Sequence, residues 1–169
     1  MVHSLSIIFW TIWALGILLV LAYGFVLMFG APYFPSLKKH VDVALDLLDL
    51  KPGQTVFDLG CGDARFLKAA AKRGIKGVGY ELNPFMFAYS WVTTRRYRKL
   101  IKIRMRNFWK VDISKADAIF VFLLDKYMPK LDEMIKQQGK KNVILASHTF
   151  KIPGKKITKQ NYGIFLYKY

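Results

Sequence analysis

The chain has 169 residues, a formal net charge of +16 and 53% apolar residues. This length leaves room for one domain and a short additional segment. The single cysteine, Cys61, excludes an internal disulfide and agrees with a reducing compartment.

The N-terminal part of the chain is apolar. Residues 5–29 contain no charged side chain, and a helix of that length rises about 37 Å, enough to cross a hydrocarbon layer of about 30 Å. A cleaved secretory signal would have a basic start and a shorter apolar stretch. We therefore predict a single transmembrane anchor over residues 1–30, with the basic remainder on the cytoplasmic side. A prokaryotic plasma membrane is the simpler location, and the mitochondrial inner membrane is the alternative.

Strand and helix signals alternate through the rest of the chain. A Pro-rich joint and an amphipathic helix that Ser36 can cap occupy residues 31–54. Strands are predicted at 55–59, 77–81, 101–106, 117–124 and 142–150, with helices after the first, second and fourth, and a C-terminal hairpin follows. Asn83 followed by Pro84 predicts the capped start of the second of these helices, which we expect to run to about residue 100. This order predicts a Rossmann-like α/β domain over residues 55–169, whose seven-stranded sheet is mostly parallel and ends in an antiparallel hairpin.

The turn after the first predicted strand has the sequence Asp-Leu-Gly-Cys-Gly-Asp. In a doubly wound sheet, ligands bind beyond the carboxyl ends of the strands. Gly60 allows a sharp turn, and Gly62 allows a ligand to approach the main chain without meeting a Cβ. Glu81 ends the second strand, and its carboxylate can accept both hydroxyls of a ribose. Together these residues predict a ligand that contains a nucleoside.

The residues around the two glycines narrow the choice of nucleoside. A dinucleotide fingerprint requires glycine at position 65, where this chain has Arg65. Asp58 suits a ligand with an amino group or a positive charge better than a pyrophosphate. S-adenosyl-L-methionine is such a ligand, and its sulfonium methyl is electrophilic without a metal ion, so we predict no metal site. Between the glycines, Cys61 is interpreted as a small residue at a crowded turn.

Five pieces of sequence occur in order: PYFPS, VFDLGCGDARF, GVGYELNP, NFWKVD and FLL. This set resembles seven-strand protein-lysine methyltransferases of the ATP synthase c-subunit and adenine nucleotide translocase type, and small archaeal lysine methyltransferases. The resemblance covers about residues 31–150 and implies a class I methyltransferase domain that uses S-adenosyl-L-methionine. The cofactor-binding residues that it implies are Pro35, Ser36, Asp58, Gly60, Cys61, Gly62, Glu81, Asn83, Asn107, Phe108 and Trp109.

Three positions depart from the family pattern. Ala64 stands where glycine is usual, Asn107 where an acid is usual, and Asp125 where proline is expected. The carboxamide of Asn107 still offers an acceptor to an adenine amino group. Asp125 is our candidate catalytic residue, which would orient the incoming ammonium or take its proton. An exposed helix N-cap is the alternative for Asp125.

Two further features concern partners. The aromatic residues Phe85, Phe87, Tyr89 and Trp91 could line an acceptor channel, although a helix that faces a sheet more often uses such residues as core. Residues 95–110 contain eight Lys or Arg and no acid. Such a run is either a solvated edge or a contact for an anionic lipid surface. A nucleic acid is the less favoured anionic partner, because an anchored domain already lies beside a bilayer.

The sequence thus predicts a membrane-anchored methyltransferase that modifies lysine side chains of proteins, which are themselves membrane-associated. Two alternatives remain open at this point. The first is methylation of a lipid headgroup or a quinone, which an anchor would serve equally well. The second is a nucleotide-binding membrane adaptor without catalytic activity.

Overall fold

The computed structural model describes residues 2–29 and 36–169. They belong to two compact units, Met1–Tyr33 and Phe34–Tyr169. The first unit contains one helix, α1 (Val2–Phe29). Among the described residues, no helix combines the length and apolar character needed to cross a bilayer. The transmembrane anchor predicted for residues 1–30 is therefore not supported by the structure.

The second unit is built on one seven-stranded sheet. Its strands are β1 (Thr55–Leu59), β2 (Lys76–Glu81), β3 (Ile101–Met105), β4 (Ala118–Val121), β5 (Ile144–His148), β6 (Lys159–Asn161) and β7 (Ile164–Lys168). The order across the sheet is β3-β2-β1-β4-β5-β7-β6. The first five strands along the chain are parallel, whereas β7 runs antiparallel to both β5 and β6. The predicted mostly parallel sheet with a C-terminal antiparallel hairpin is confirmed.

Helices cover both faces of this sheet. The α-helices of this unit are α2 (Lys38–Leu48), α3 (Arg65–Lys72), α4 (Pro84–Thr93) and α5 (Met128–Gln138). Short 3-10 helices lie at Arg95–Tyr97, Phe108–Lys110 and Asp125–Tyr127. On one face, α2 and α3 contribute Leu45 and Phe66 to a buried cluster, in which Phe66 stacks on Phe120 of β4 at 4.1 Å between ring centroids. On the other face, α5 packs Leu131 against a second cluster that contains Tyr80.

The strand order reverses at β1, whose two neighbours are β2 and β4. From β1 the chain moves outward through β2 to β3, and it then crosses to β4 on the other side of β1. A crevice forms at such a reversal, just beyond the carboxyl ends of the central strands. The loops that follow β1, β2 and β4 therefore converge at one edge of the sheet.

Two helix boundaries differ from the sequence prediction. Leu37, not Ser36, occupies the N-cap position of α2, and no side chain caps this helix. The Ser36 hydroxyl lies instead within hydrogen-bonding distance of the ring of His148. Helix α4 ends at Thr93 rather than near residue 100, and a 3-10 helix over Arg95–Tyr97 follows; between them the Thr94 hydroxyl donates to the carbonyl of Ser90 at 2.7 Å. The predicted cap of α4, Asn83, is confirmed by bonds from the next turn.

Helix α4 buries a small side chain and exposes large aromatic ones, whereas a helix that faces a sheet more often buries its aromatic residues. Ser90 is its fully buried residue, whereas Phe85, Tyr89 and Trp91 are exposed. The expectation that these three aromatic side chains form core is wrong, because α4 turns a small side chain toward the sheet and its large side chains outward. Phe87 alone of the predicted aromatic set is half-buried.

Candidate active site

The turn after β1 is held open by its main chain. Gly60 and Gly62 adopt φ angles of 92° and 52°, in the left-handed region that glycine accommodates without strain. The N–H groups of Gly60 and Cys61 donate to the carbonyl of Tyr80 at 2.9 and 3.0 Å, which ties the turn to the end of β2. A Cβ at Gly60 would meet no heavy atom within 4 Å, so the space beside the main chain is free for a ligand.

The carboxylate of Glu81 is fixed by three main-chain donors. Its Oε2 accepts from the N–H of Gly62 at 2.8 Å, and its Oε1 accepts from Leu82 and Asn83 at 2.9 and 2.8 Å. A carboxylate offers about four acceptor positions, so about one remains for a ligand. One ribose hydroxyl can take that position, whereas a second hydroxyl must displace or share a main-chain donor.

Asp58 is the buried acid of the site. The residue is only 4% exposed, and its side chain has no hydrogen-bond partner among the described residues. Burial raises the pKa of Asp58 well above its ordinary value, and the nearby charges of Glu81 and Asp63 raise it further. A carboxyl in so buried a position is costly to ionise, and a cationic group placed against its oxygens would remove much of that cost. The position therefore suits the ammonium group of an amino-acid moiety.

Asp63 and Arg65 connect the glycine turn with the segment before α2. The guanidinium of Arg65 contacts Asp63 through Nη2 at 2.8 Å and Nε at 3.0 Å, and its Nη1 donates to the carbonyl of Ser36 at 2.7 Å. Burial opposes ionisation of Asp63, but the hydrogen bonds from the Arg65 side chain and main chain outweigh it and lower the pKa of Asp63. Arg65 thus joins the glycine turn to the segment before α2, 29 residues earlier in the chain.

His148 completes this connection at the end of β5. Its Nδ1 lies 3.1 Å from the Ser36 hydroxyl, and its ring packs 4.2 Å from Phe122 and 4.5 Å from His40 between centroids. Burial lowers the pKa of His148 to about 4, and the charge of His40 adds to this effect. The imidazole is therefore neutral at pH 7. The sequence contained one indication that His148 lies near the site, which is its position at the carboxyl end of a predicted parallel strand. The carboxyl ends of parallel strands lie at the same edge of a sheet.

The loop after β3 meets the segment after β4 through aromatic side chains. The Asn107 carboxamide oxygen accepts from the Trp109 N–H at 3.0 Å and so caps the short helix that Phe108 begins. The rings of Phe108 and Trp109 lie 4.7 Å apart, and Trp109 lies 6.0 Å from Tyr127. Lys130 places its ammonium 4.6 Å from the Trp109 ring centroid. These side chains form an aromatic rim beside the crevice.

Cys61 behaves as a small buried residue. Burial raises the pKa of its thiol well above the ordinary value, and the neighbouring carboxylates, first Asp58 and then Glu81, raise it further. A Cβ added to Gly79 of β2 would lie 2.7 Å from the Cys61 sulfur, which shows how closely the turn packs on this strand. The thiol is therefore protonated and serves packing.

The predicted site residues fall into three groups. One connected set surrounds the glycine turn and consists of Asp58, Gly60, Cys61, Gly62, Glu81 and Asn83, to which Arg65 joins Ser36. A second set, Asn107 to Trp109, lies in the loop after β3. The candidate catalytic residue Asp125 is exposed at the start of the 3-10 helix after β4, where no side-chain cap forms. Pro35 lies outside the described residues.

A sheet of this order, with a glycine turn after the first strand and an acid at the end of the second, defines a Rossmann-like class I methyltransferase fold. Within that class, residues 58–159 match the model of the ANTKMT methyltransferase domain, and the chain belongs to this methyltransferase family.

Individual relatives agree with that placement. The chain is 31% identical over 148 residues to a protein-lysine N-methyltransferase of Saccharolobus islandicus, a match that covers 80% of this chain and 92% of the relative. It is 34% identical over 111 residues to the ATP synthase c-subunit lysine N-methyltransferase of Xenopus laevis, a match that covers 63% of this chain and 48% of that protein. The chain thus spans about half the length of the c-subunit methyltransferases that it matches.

A solved structure extends the likeness to the fold. The RNA methyltransferase of Salinibacter ruber, crystallised with S-adenosyl-L-homocysteine, superposes with a TM-score of 0.74 at 26% identity. The superposition covers 80% of this chain and 92% of that one.

Proposed function

We propose that this protein is an S-adenosyl-L-methionine-dependent protein-lysine N-methyltransferase. The observation that carries the proposal is the buried carboxyl of Asp58, without a partner among the described residues, beside the open turn at Gly60 and the oriented carboxylate of Glu81. These groups match the ammonium, the main body and the ribose of one cofactor. The names of the relatives from Saccharolobus islandicus and Xenopus laevis support lysine as the acceptor.

The residues present fit this cofactor. Asp58 would hold the ammonium of its amino-acid part, Gly60 and Gly62 would let it lie on the main chain, and Glu81 would accept from the ribose. Asn107 retains acceptor capacity for an adenine amino group, and the rings of Phe108 and Trp109 are the nearest aromatic surfaces in that loop. When bound, the cofactor supplies an electrophilic methyl group on a sulfonium.

The remaining task of the chain is to present a neutral amine in line with that methyl group. A lysine with a pKa of about 10.4 is unprotonated roughly once in 2,500 molecules at pH 7, which corresponds to about 4.6 kcal/mol. An approach past the Trp109 and Tyr127 rings would strip water from the ammonium and lower that cost. Asp125, exposed after β4, can orient the incoming ammonium or take its proton.

The setting of the substrate is part of the proposal. By their names, the Xenopus relative acts on lysine of the ATP synthase c-subunit and the Saccharolobus relative on protein lysine. We propose a protein substrate of the same kind here. The apolar sequence of residues 5–29 supports a membrane-associated substrate, although the structure adds no support for a membrane span.

RNA is a second candidate acceptor. The Salinibacter ruber neighbour is described as an RNA methyltransferase, and the net charge of +16 favours anionic partners. Against it, the Saccharolobus islandicus relative covers the same 80% of this chain at 31% rather than 26% identity, and it is named as a protein-lysine methyltransferase.

Incubation of the full chain with tritiated S-adenosyl-L-methionine and cell fractions distinguishes these acceptors. We expect label in a protein band, released on hydrolysis as methylated lysine, in membrane or soluble fractions. Label in RNA would favour the second candidate, and label in the lipid extract would favour a headgroup or quinone acceptor. No label above that of a Glu81→Gln control would contradict the enzymatic proposal.

A further inference from the structure

The outer face of α4 carries an apolar stripe. Phe85, Tyr89 and Val92 are spaced four and three residues apart, so they project from one side of the helix. All three are exposed, at 57%, 54% and 57%. Trp91 lies about 100° around the helix from Val92 and is 48% exposed. Ser90, on the opposite side of α4, is fully buried, and α4 contacts strands β2 and β3. A stripe with the spacing of a core contact is therefore directed away from the core of its own domain.

Cations border this stripe, and acids are absent from its sequence neighbourhood. Residues 82–111 contain eight Lys or Arg and no Asp or Glu. The guanidinium of Arg95 lies 4.6 Å from the Trp91 ring centroid, and the ammonium of Lys68 on α3 lies 5.9 Å from that of Tyr89. Arg96 follows Arg95 on the surface and is exposed. The result is an apolar centre with a cationic border, here called the α4 surface.

We propose that the α4 surface docks on an anionic lipid bilayer, with the stripe at the headgroup boundary and the cations on the lipid phosphates. An apolar helix face with flanking Lys and Arg is the arrangement by which helices lie in a membrane interface. Aromatic side chains such as Trp91 and Tyr89 are favoured at that depth. This docking is independent of methyl transfer and of any membrane span by α1.

Two other occupants fit the surface less well. Single-stranded RNA would stack its bases on open aromatic faces, but Arg95 and Lys68 already lie over Trp91 and Tyr89, and the aliphatic Val92 has no face for stacking. A second copy of this chain would bring two surfaces of the same sign together, which is unfavourable. A bilayer accepts aliphatic side chains and cations at the same time.

A local probe tests the α4 surface whatever the rest of the chain does. Val92→Cys in the full chain is labelled with an environment-sensitive fluorophore and mixed with vesicles of phosphatidylcholine alone or with phosphatidylserine. The control label is placed at Gln137→Cys, an exposed position on α5, which covers the other face of the sheet. Unsubstituted protein, in which Cys61 is buried, is the labelling blank. Brominated lipids in the vesicles report the depth of each probe.

We expect a blue shift and bromine quenching at position 92 with anionic vesicles, and neither at position 137. Arg95→Glu with Arg96→Glu should raise the lipid concentration for half-maximal response about tenfold or more. The same charge change at Lys156 and Lys159, which are exposed near the sheet edge opposite β3, should alter this lipid concentration much less. An unchanged probe with all vesicles, an equal response to neutral vesicles, or a response to poly-uridine RNA instead would each overturn the proposal.

Discussion

The Ser36 hydroxyl lies 3.1 Å from Nδ1 of His148, so that the segment before α2 is joined to the end of β5 across 112 residues of sequence. The carbonyl of the same serine accepts from Arg65, which in turn holds Asp63 beside the glycine turn. Ser36 therefore links the proposed cofactor turn to the carboxyl end of the strand next to β4. A substitution of Arg65 or His148, the two partners of Ser36, should therefore change cofactor affinity.

The neutral state of His148 makes stability depend on pH. Its pKa is about 4 in the folded protein and about 6.5 when unfolded, so between these values the unfolded chain binds the extra proton. Stability from this group is complete above pH 6.5 and is lost as pH falls toward 4, by about 3 kcal/mol at most. His148→Asn keeps a polar side chain but does not titrate. Urea unfolding from pH 7.5 to 4 should show a steeper loss in the unsubstituted protein, and equal slopes would refute a neutral buried His148.

Gly79→Ala should disturb the glycine turn from the strand beneath it. The new Cβ would lie 2.7 Å from the Cys61 sulfur and 2.7 Å from Leu67. We expect a loss of about 1 to 3 kcal/mol in stability and weaker cofactor binding. Gly77→Ala is the matched control, because its Cβ would press on Leu67 at 2.7 Å without contacting Cys61. Thermal unfolding should show similar destabilisation of both variants, and calorimetry should show weaker cofactor binding in Gly79→Ala alone. Equal cofactor affinities of the two variants would mean that the packing of Cys61 on β2 does not influence cofactor binding.

Arg65→Lys keeps the positive charge but loses the planar fork that contacts Asp63 and Ser36 together. We expect a loss of about 1 to 3 kcal/mol in stability, and cofactor affinity reduced about tenfold. Arg73→Lys alters the exposed ion pair between the C-cap of α3 and Asp46 of α2, and it should cost less than about 1 kcal/mol. Differential scanning calorimetry and cofactor titration provide both values. Equal effects of the two substitutions would mean that Arg65 is only a surface ion pair.

Asp125→Ala tests the candidate catalytic carboxylate. Because Asp125 is exposed after β4 and makes none of the hydrogen bonds that hold the glycine turn and Glu81, its removal should leave cofactor affinity unchanged. Turnover should fall about tenfold or more if the carboxylate orients the amine or takes its proton. Glu133→Ala removes an exposed acid from α5 and should leave both quantities unaltered. Initial rates with a labelled lysine substrate provide the comparison, and full activity of Asp125→Ala would remove this residue from the site.

Local patterns were enough to predict the sheet and the turn. The apolar run of β1 followed by Gly60 and Gly62 has one common structural solution, and Glu81 falls at the end of β2 because strand lengths are short and regular. The Ser36 to His148 contact could not be predicted, since it depends on how distant elements pack. The outward stripe of α4 has the spacing of a core stripe, and periodicity alone does not tell which face meets the sheet.

The most direct test of cofactor binding is a calorimetric titration of the full chain with S-adenosyl-L-methionine, beside the Glu81→Gln variant. We predict binding at one site per chain, and at least about tenfold weaker binding when Glu81 loses its charge, because charged hydrogen bonds contribute most to holding the ribose. Circular dichroism should show that the variant remains folded. No binding heat from the folded unsubstituted protein, with either S-adenosyl-L-methionine or S-adenosyl-L-homocysteine, or equal affinity in the variant, would contradict the proposed site.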